Sequence, residues 1–252
     1  MIVFLASSPT REIDEYNPFP SLDERNGFVD KLRQVWKQDA RCLMIAADPE
    51  AFDLNDEMTN HYREATQRSG LPVGCFDLWD ARNPGLTKDE FDAYDVVFLA
   101  GGHLPTEWAW FEYIQLKWLL RGYGGIVIGT SAGSMNLAEE VYAWPEREGE
   151  SIDPSYVLFF EGLGLAKTQL LPHYQKVRDQ RVDGKLYVQE VACGDSFGKR
   201  FLAVPDGSYV LVWDGREMVF GEAYLVADGQ MHEFCQEGNC RVFWPIEGHI
   251  WN

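Results

Sequence analysis

Short apolar runs alternate with amphipathic segments along the first half of the chain. The apolar runs predict strands over residues 2–6, 41–47, 72–78, 95–100 and 125–128. Apolar residues at helical spacing, with capping and stop signals, predict helices over 27–38, 55–69, 87–94, 106–121 and 134–142. Unbroken apolar strands that alternate with helices are typical of a parallel sheet covered on both faces. The pattern therefore predicts an α/β fold with a doubly wound, mostly parallel sheet and helices on both faces.

The pattern changes after Trp144, where residues 145–154 form an acidic stretch that predicts a loop. Short apolar runs split by the turn sequences PDG, DGRE and GE then predict strands over 199–204, 208–213, 217–220 and 223–226. Such runs form antiparallel meanders, so we expect a C-terminal antiparallel β extension that adds to the main sheet or lies against it. No linker or repeat interrupts the chain, which predicts one domain over residues 1–252.

The sequence around Ser131 has the form of a nucleophile elbow. A β-branched run ends at Ile128, the small residues of GTSAG follow, and helix formers come next. A strand, a sharp turn with a central serine and a helix together expose a nucleophilic hydroxyl at the carboxyl edge of a sheet. Gly129 and Gly133 remove side chains where strand and helix crowd together. Serine is also a common helix N-cap, so the motif alone leaves the two interpretations evenly matched.

Other strand ends reach the same edge of the predicted sheet, where ligands bind in folds of this type. They carry the sequences SSP at 7–9, ADPE at 47–50 and AGGH at 100–103. A serine nucleophile needs N–H donors for the oxyanion that it generates. Ala132, which follows the serine, and Gly102, whose backbone a ligand can approach closely, are the candidates. The alternative is that Gly101 and Gly102 are needed only for the backbone geometry of the turn.

A serine hydroxyl also needs a base, and the base needs a carboxylate that orients it. His173 is the candidate base, because it follows an apolar Leu-Leu-Pro segment that would hold it rigidly; a purely structural histidine is the alternative. Asp206, in the turn PDG, is the candidate acid, although PDG is also an ordinary turn sequence. The competing histidines are His61, His103, His232 and His249, and the competing carboxylates are Asp195, Asp214 and Glu222.

Composition narrows the choice of partners. The formal charge is 22 − 40 = −18, which argues against nucleic acid and anionic membranes as partners. The start of the chain has no basic segment before its short apolar run, so we expect no signal peptide and a cytoplasmic protein.

Cys235 and Cys240 could form a local disulfide or half of a metal site, but a free pair is favoured because no second pair has zinc spacing. We expect no metal or cofactor.

The ordered motifs FLAGGH, GTSAGS, LLPH and VPDGS resemble the serine peptidases of the dipeptidase E and cyanophycinase family. The resemblance extends from the first strand to about residue 226. It implies a fold similar to class I glutamine amidotransferases, with serine in place of the cysteine nucleophile. Carried over to this chain, it implies Ser131 as nucleophile, His173 as base, and Gly102 and Ala132 as the oxyanion hole. The acidic member of the family is usually a glutamate, so Asp206 matches its position with a side chain one methylene shorter.

The resemblance also suggests substrate-binding residues. His103 stands where the aspartyl dipeptidases have a GGN-type loop. Glu146 falls near the position of an aspartate that holds the free amino group of their substrates, with a solvated acidic loop as the alternative. An aspartyl side chain would need a cation, for which Arg178 and Arg181 are candidates unless they form a solvated helix face.

The sequence leads to a serine-type peptidase that cleaves short peptides through an acyl-enzyme, in its finer form an aspartyl-dipeptidase-like enzyme. Two alternatives stay open: a non-catalytic relative that binds an amino-acid-like ligand, and an amidase or esterase for a non-peptide substrate. The expected partner is a small peptide substrate. The oligomeric state is left open, with a homodimer as one assembly that fits.

Overall fold

The computed structural model describes residues 1–83 and 85–245. Its strands are β1 Ile2–Ala6, β2 Ala40–Ile45, β3 Val73–Trp79, β4 Val96–Leu99, β5 Ile126–Thr130, β6 Glu140–Tyr142, β7 Phe159–Glu161, β8 Gln169–Leu171, β9 Arg181–Val182, β10 Lys185–Leu186, β11 Arg200–Ala203, β12 Tyr209–Trp213, β13 Arg216–Phe220, β14 Ala223–Ala227, β15 Gln230–Cys235 and β16 Cys240–Trp244. Its α-helices are α1 Phe28–Val35, α2 Phe52–Arg68, α3 Lys88–Asp92, α4 Leu104–Tyr113, α5 Leu116–Leu119, α6 Ala132–Met135, α7 Tyr174–Val177 and α8 Cys193–Asp195. A 3₁₀ turn, Arg25–Gly27, precedes α1, and a π-helical segment, Tyr187–Ala192, precedes α8.

The central sheet has the order β16-β13-β12-β1-β5-β4-β2-β3. Five neighbouring strands run parallel, in the order β1-β5-β4-β2-β3. On the other side of β1, the strands β12, β13 and β16 continue the sheet as antiparallel strands. Successive residues of β1 point to opposite faces of the sheet. Phe4 and Leu5 therefore belong to two different apolar clusters, each of which also contains side chains from helices. The predicted α/β fold with a large, mostly parallel sheet between helices is confirmed.

A second sheet, in the order β15-β14-β11-β8, forms the other part of the C-terminal half. The late predicted strands divide between the two sheets, because 208–213 and 217–220 extend the central sheet while 199–204 and 223–226 belong to the second one. Both expected arrangements of the extension therefore occur together. The strands β15 and β16 were not predicted from the sequence.

The predicted helix over 134–142 is wrong. The chain forms only the single turn α6 and then enters β6. The carbonyls of Asn136 and Leu137, which a longer helix would use internally, instead accept the amides of Leu163 and Leu165, both at 2.8 Å. Backbone pairing with a distant segment thus replaces the helical hydrogen bonds.

The predicted helix over 106–121 divides into α4 and α5. The break lies at Gln115, whose φ of 54° is left-handed. By contrast, the predicted start of α3 is confirmed, since Thr87 and Glu90 form a capping box. In the described part of the chain, every helix is too short or too polar to cross a membrane.

Two glycines allow the turn between β5 and α6 to pack against its neighbours. A Cβ atom on Gly129 would lie 2.7 Å from the backbone of Ser134, and one on Gly133 would lie 2.5 Å from the carbonyl oxygen of Leu99 in β4. Backbone atoms on both sides leave no room for a side chain. The predicted reason for both glycines is therefore confirmed.

We predict that Gly133→Ala lowers the free energy of unfolding by about 1–3 kcal/mol or more, because its methyl group would overlap the Leu99 carbonyl. Gly124→Ala is the matched control, since a Cβ atom there meets nothing within 4 Å. Urea denaturation of both variants tests the prediction. Equal stability of the two variants would contradict the packing argument.

Candidate active site

Ser131 lies between the end of β5 and the start of α6 in a strained backbone conformation. Its φ and ψ are 51° and −115°, which a non-glycine residue rarely adopts. Its amide donates to the carbonyl oxygens of Ala6, at 3.0 Å, and Ser7, at 3.1 Å. The end of β1 thus holds the strained turn in place, as in a nucleophile elbow.

The second sheet brings the other two candidate residues together. β8 pairs in parallel with β11, with Leu171 opposite Ala203, so the segments that follow the two strands leave the sheet side by side. His173 follows β8 and adopts a left-handed conformation with φ 57°. Asp206 lies in the connection between β11 and β12. Parallel pairing therefore makes neighbours of residues that are 33 positions apart in the sequence.

The side chains of Ser131, His173 and Asp206 form one hydrogen-bonded chain. His173 Nε2 lies 2.9 Å from Ser131 Oγ, and His173 Nδ1 lies 2.6 Å from Asp206 Oδ1. A carboxylate only accepts hydrogen bonds, so Nδ1 carries the donated proton and Nε2 of the neutral ring accepts from the serine hydroxyl. This is the tautomer that a general base requires.

Several groups stabilise the ionised form of Asp206. Burial of its carboxyl favours the neutral acid, but the hydrogen bonds from His173 and Ser7 and the ion pair with Lys176 outweigh burial and hold its pKa well below the usual value. Lys176 Nζ lies 2.9 Å from Oδ2, and Ser7 Oγ lies 2.7 Å from Oδ1. Lys176 also contacts Glu12 at 3.0 Å. The carboxylate is thus available as the permanent acceptor for the His173 ring.

The competing carboxylates have other partners or surroundings. Asp195 Oδ2 accepts from Tyr142 at 2.7 Å, and Glu222 Oε1 accepts from Tyr224 at 2.5 Å. Asp214 lies in an exposed turn with φ 52°. Asp206 is the candidate that lies within hydrogen-bonding distance of His173.

The remaining histidines also differ from His173 in their surroundings. His61 lies on α2, and His232 lies on β15, where its Nε2 is 3.0 Å from the Gln230 side chain. His103 bonds Thr106 through Nδ1 at 2.8 Å. His249 lies outside the described residues.

Two backbone amides belong to segments that adjoin Ser131: that of Ala132, the next residue, and that of Gly102, in the turn after β4. A Cβ atom on Gly101 would lie 3.1 Å from the Ser131 Cβ, so the Gly-Gly turn after β4 passes directly beside the serine. Within residues 1–83 and 85–245, the amides of Gly102 and Ala132 donate to no backbone acceptor outside regular secondary structure and to no side chain. In the described residues both N–H groups thus have no protein acceptor, which is a requirement for an oxyanion donor.

An acidic loop borders the site on another side. The Glu150 carboxylate accepts from the amides of Glu146, at 2.8 Å, and Arg147, at 2.9 Å, and so fixes the backbone there. The Glu146 side chain reaches solvent but is closely surrounded by protein, and burial raises its pKa, with a further rise from Glu150 and opposing effects of Trp144, Arg147 and His173. Because His173 is among the groups that lower the Glu146 pKa, this loop lies within electrostatic range of the candidate base.

His103 and Arg178 have different surroundings. His103 caps α4, and burial lowers its pKa, aided by Arg147 and opposed by Glu150, so it lies at the same loop as Glu146. Arg178 is exposed and pairs with Asp179 at 3.2 Å. Arg181 donates to the Gly184 carbonyl at 2.7 Å. Neither arginine contacts Ser131, His173 or Asp206 in the described structure, so their role in substrate binding stays a prediction.

Sequence reasoning missed Ser7 and Lys176 as partners of Asp206. The signal for Ser7 was its position in SSP at the carboxyl end of β1, an edge expected to bind ligands. No comparable signal marks Lys176. All five cysteines are free thiols, and no group of three or more potential metal ligands occurs in the described ranges.

Comparisons with known proteins show what this chain is similar to. A model of peptidase family S51 matches residues 27–217. The crystal structure of a peptidase from an acI-B1 Actinobacterium superposes with a TM-score of 0.57 at 14% identity, covering 96% of each chain. A Listeria monocytogenes EGD-e protein described as a "putative peptidase E protein" gives a TM-score of 0.49 at 14% identity, covering 92% of this chain and 97% of that one. The sequence matches no curated protein.

We predict that the stabilising effect of the Asp206 carboxylate is lost in acid. Its pKa is lower in the folded chain than in the unfolded chain, so its contribution is present above the unfolded value of about 3.9 and disappears as the pH falls toward the folded value. The difference in unfolding free energy between wild type and Asp206→Asn should therefore shrink below about pH 5. Urea denaturation at several pH values measures it, with the exposed Asp214→Asn as control. A difference that stays constant or grows in acid would contradict the prediction.

Proposed function

This chain belongs to peptidase family S51, and from that premise we propose that it is a serine peptidase that cleaves short peptides through an acyl-enzyme on Ser131. The observation that carries the proposal is the hydrogen-bonded chain from Ser131 Oγ through the His173 ring to Asp206. The strained elbow and the free amides beside it support the same chemistry. In this proposal residues 1–252 form one hydrolase domain with a fold like that of class I glutamine amidotransferases.

The first half of the proposed reaction forms the acyl-enzyme. Ser131 Oγ attacks the carbonyl carbon of the scissile peptide while His173 Nε2 takes the hydroxyl proton. The carbonyl π electrons move to oxygen, and the amides of Gly102 and Ala132 stabilise the resulting oxyanion. When the tetrahedral intermediate collapses, the C–N bond breaks and His173 returns the proton to the leaving amine.

The second half releases the product. Water attacks the acyl carbon and gives a proton to His173, and the C–O bond to Ser131 breaks as that proton returns to Oγ. Asp206 remains ionised throughout, fixes the ring tautomer and stabilises the imidazolium that forms in each half. Its low pKa supports this role, because a carboxylate that stays ionised always accepts the hydrogen bond from the Nδ1–H group.

For the substrate, we propose a short peptide with a free amino terminus held by the carboxylate of Glu146. The support is the position of Glu146 in a loop close to His173, with its backbone fixed by Glu150. The finer proposal, an aspartyl-dipeptidase-like preference, needs a cation near the site. Arg178 and Arg181 are carried forward for that role, and His103 is carried forward as a further substrate contact at the same loop.

We predict that a fluorophosphonate probe labels the wild-type protein at Ser131 and that Ser131→Ala is not labelled. Peptide turnover by this variant should fall by on the order of 10⁴-fold or more, since the triad acts as a unit. Ser155→Ala, which removes an exposed hydroxyl bonded to Asp153, should behave as wild type. Labelling that persists in Ser131→Ala would rule out this nucleophile.

Probe labelling, thermal stabilisation by dipeptides and ester hydrolysis together separate the alternative functions. A protein inert to the probe but stabilised thermally by dipeptides would be a binding relative. Hydrolysis of p-nitrophenyl esters without hydrolysis of dipeptides would indicate an esterase or amidase.

We predict that Glu146→Gln raises KM for dipeptides with a free amino group by about 10- to 100-fold, because a hydrogen bond to a charged group contributes about 1.5–3 kcal/mol. The KM for the matching N-acetyl dipeptides should not change, since they carry no ammonium group. Glu148→Gln, in the exposed part of the same loop, is the control. An equal change for free and acetylated substrates would contradict the assignment.

A further inference from the structure

Ser7 is a buried serine at the point where the two sheets meet. It is the first residue after β1 and is 0% exposed. Its amide donates to the Ser208 carbonyl at 3.4 Å, which ties it to the chain just before β12. Its position in the backbone is therefore fixed from the central sheet.

Ser7 contacts all three residues of the hydrogen-bonded chain. Its carbonyl oxygen accepts the amide of Ser131 at 3.1 Å. Its hydroxyl oxygen accepts the amide of His173 at 2.7 Å, and the same hydroxyl lies 2.7 Å from Asp206 Oδ1. Ser7 thus meets Ser131 through its carbonyl oxygen and both His173 and Asp206 through its hydroxyl.

The direction of each hydroxyl bond follows from the chemistry of its partners. The Asp206 carboxylate can only accept, so the single hydroxyl proton of Ser7 is donated to it. The lone pairs of the same oxygen remain for the His173 amide, which can only donate. The hydroxyl is fully engaged with these two residues and has no proton left for another acceptor.

Two consequences follow for the geometry of the base. Asp206 Oδ1 receives both the Ser7 hydroxyl and the His173 ring N–H, which fixes the rotation of the carboxylate. The left-handed backbone conformation of His173 is unfavourable for a residue with a side chain. The hydrogen bond from its backbone amide to Ser7 Oγ helps to hold that conformation. Both effects keep Nε2 aimed at Ser131.

We propose that Ser7 is a positioning residue that keeps Ser131, His173 and Asp206 in register for proton transfer. The proposal rests on the serine peptidase function proposed above. Ser7 reaches the reacting atoms only through the other three residues, so its loss should lower kcat and leave KM nearly unchanged. A displacement of reacting groups by about 1 Å can cost on the order of 100-fold in rate.

The test compares Ser7→Ala with a matched buried serine elsewhere in the chain. Ser196 is also 0% exposed, and its hydroxyl likewise donates to one oxygen, the Cys193 carbonyl at 2.8 Å, and accepts one amide, that of Gly229 at 2.9 Å. Each alanine variant loses one donated and one accepted hydrogen bond, and thermal unfolding measures the stability that each loses. Ser7→Ala should lower kcat for dipeptides, and the rate of fluorophosphonate labelling, by on the order of 10- to 100-fold. Ser196→Ala should keep both rates.

Ser7→Thr provides the conservative rescue, because it restores the hydroxyl. Partial recovery of kcat relative to Ser7→Ala would support the hydroxyl as the active feature. Wild-type kcat in Ser7→Ala, or an equal loss in Ser7→Ala and Ser196→Ala, would overturn the proposal.

A second measurement does not depend on peptidase activity. The Nδ1 proton of His173 can be observed by NMR as a hydrogen-bonded imidazole resonance, assigned with His173→Gln. We expect Ser7→Ala to shift or broaden this resonance and Ser196→Ala to leave it unchanged. An unchanged resonance in Ser7→Ala would overturn the positioning role even in a catalytically inert protein. Failure of Ser131 labelling in the wild type, with the resonance still sensitive to Ser7, would instead overturn the proposed function alone.

Discussion

The site depends on the meeting of strand ends from two different sheets. β1 and β5 are paired in parallel, with Ala6 opposite Thr130, so Ser7 and Ser131 leave the central sheet at the same level. β8 and β11 impose the same relation on the segments that carry His173 and Asp206. Parallel register converts four positions that are far apart in sequence into one cluster. Each side chain in the cluster must then supply the hydrogen-bond donor or acceptor that its neighbours need.

Charge within this cluster is arranged locally, against the overall charge of the molecule. The chain has a formal net charge of −18, yet the Asp206 carboxylate is surrounded by donors and by the Lys176 ammonium group. These short contacts outweigh the cost of burying the carboxylate, because hydrogen bonds and ion pairs are stronger away from water. Global acidity therefore says little about the chemistry at the sheet edge. It bears instead on which macromolecules the surface would attract.

Local signals made much of this arrangement predictable from the sequence. The parallel sheet follows from unbroken apolar strands, and the elbow follows from GTSAG, because each depends on residues adjacent in the chain. The division of the late strands between two sheets and the early end of α6 depend on pairing with distant segments, which periodicity does not report. The same holds for Ser7 and Lys176, whose roles arise only from neighbours brought together by folding.

The residues of the site are divided between two sheets, so their geometry depends on how the sheets pack against each other. The central sheet carries Ser131, whereas His173 and Asp206 follow strands of the second sheet, and the Ser7 hydroxyl at the end of β1 bonds both of them across the junction. A slip between the sheets would lengthen the distance from His173 Nε2 to Ser131 Oγ and strain both hydrogen bonds of the Ser7 hydroxyl. Under the proposed mechanism, such a slip would stop proton transfer without unfolding either sheet. Sequence changes far from the site, at the packing between the sheets, would then tune turnover without touching a substrate.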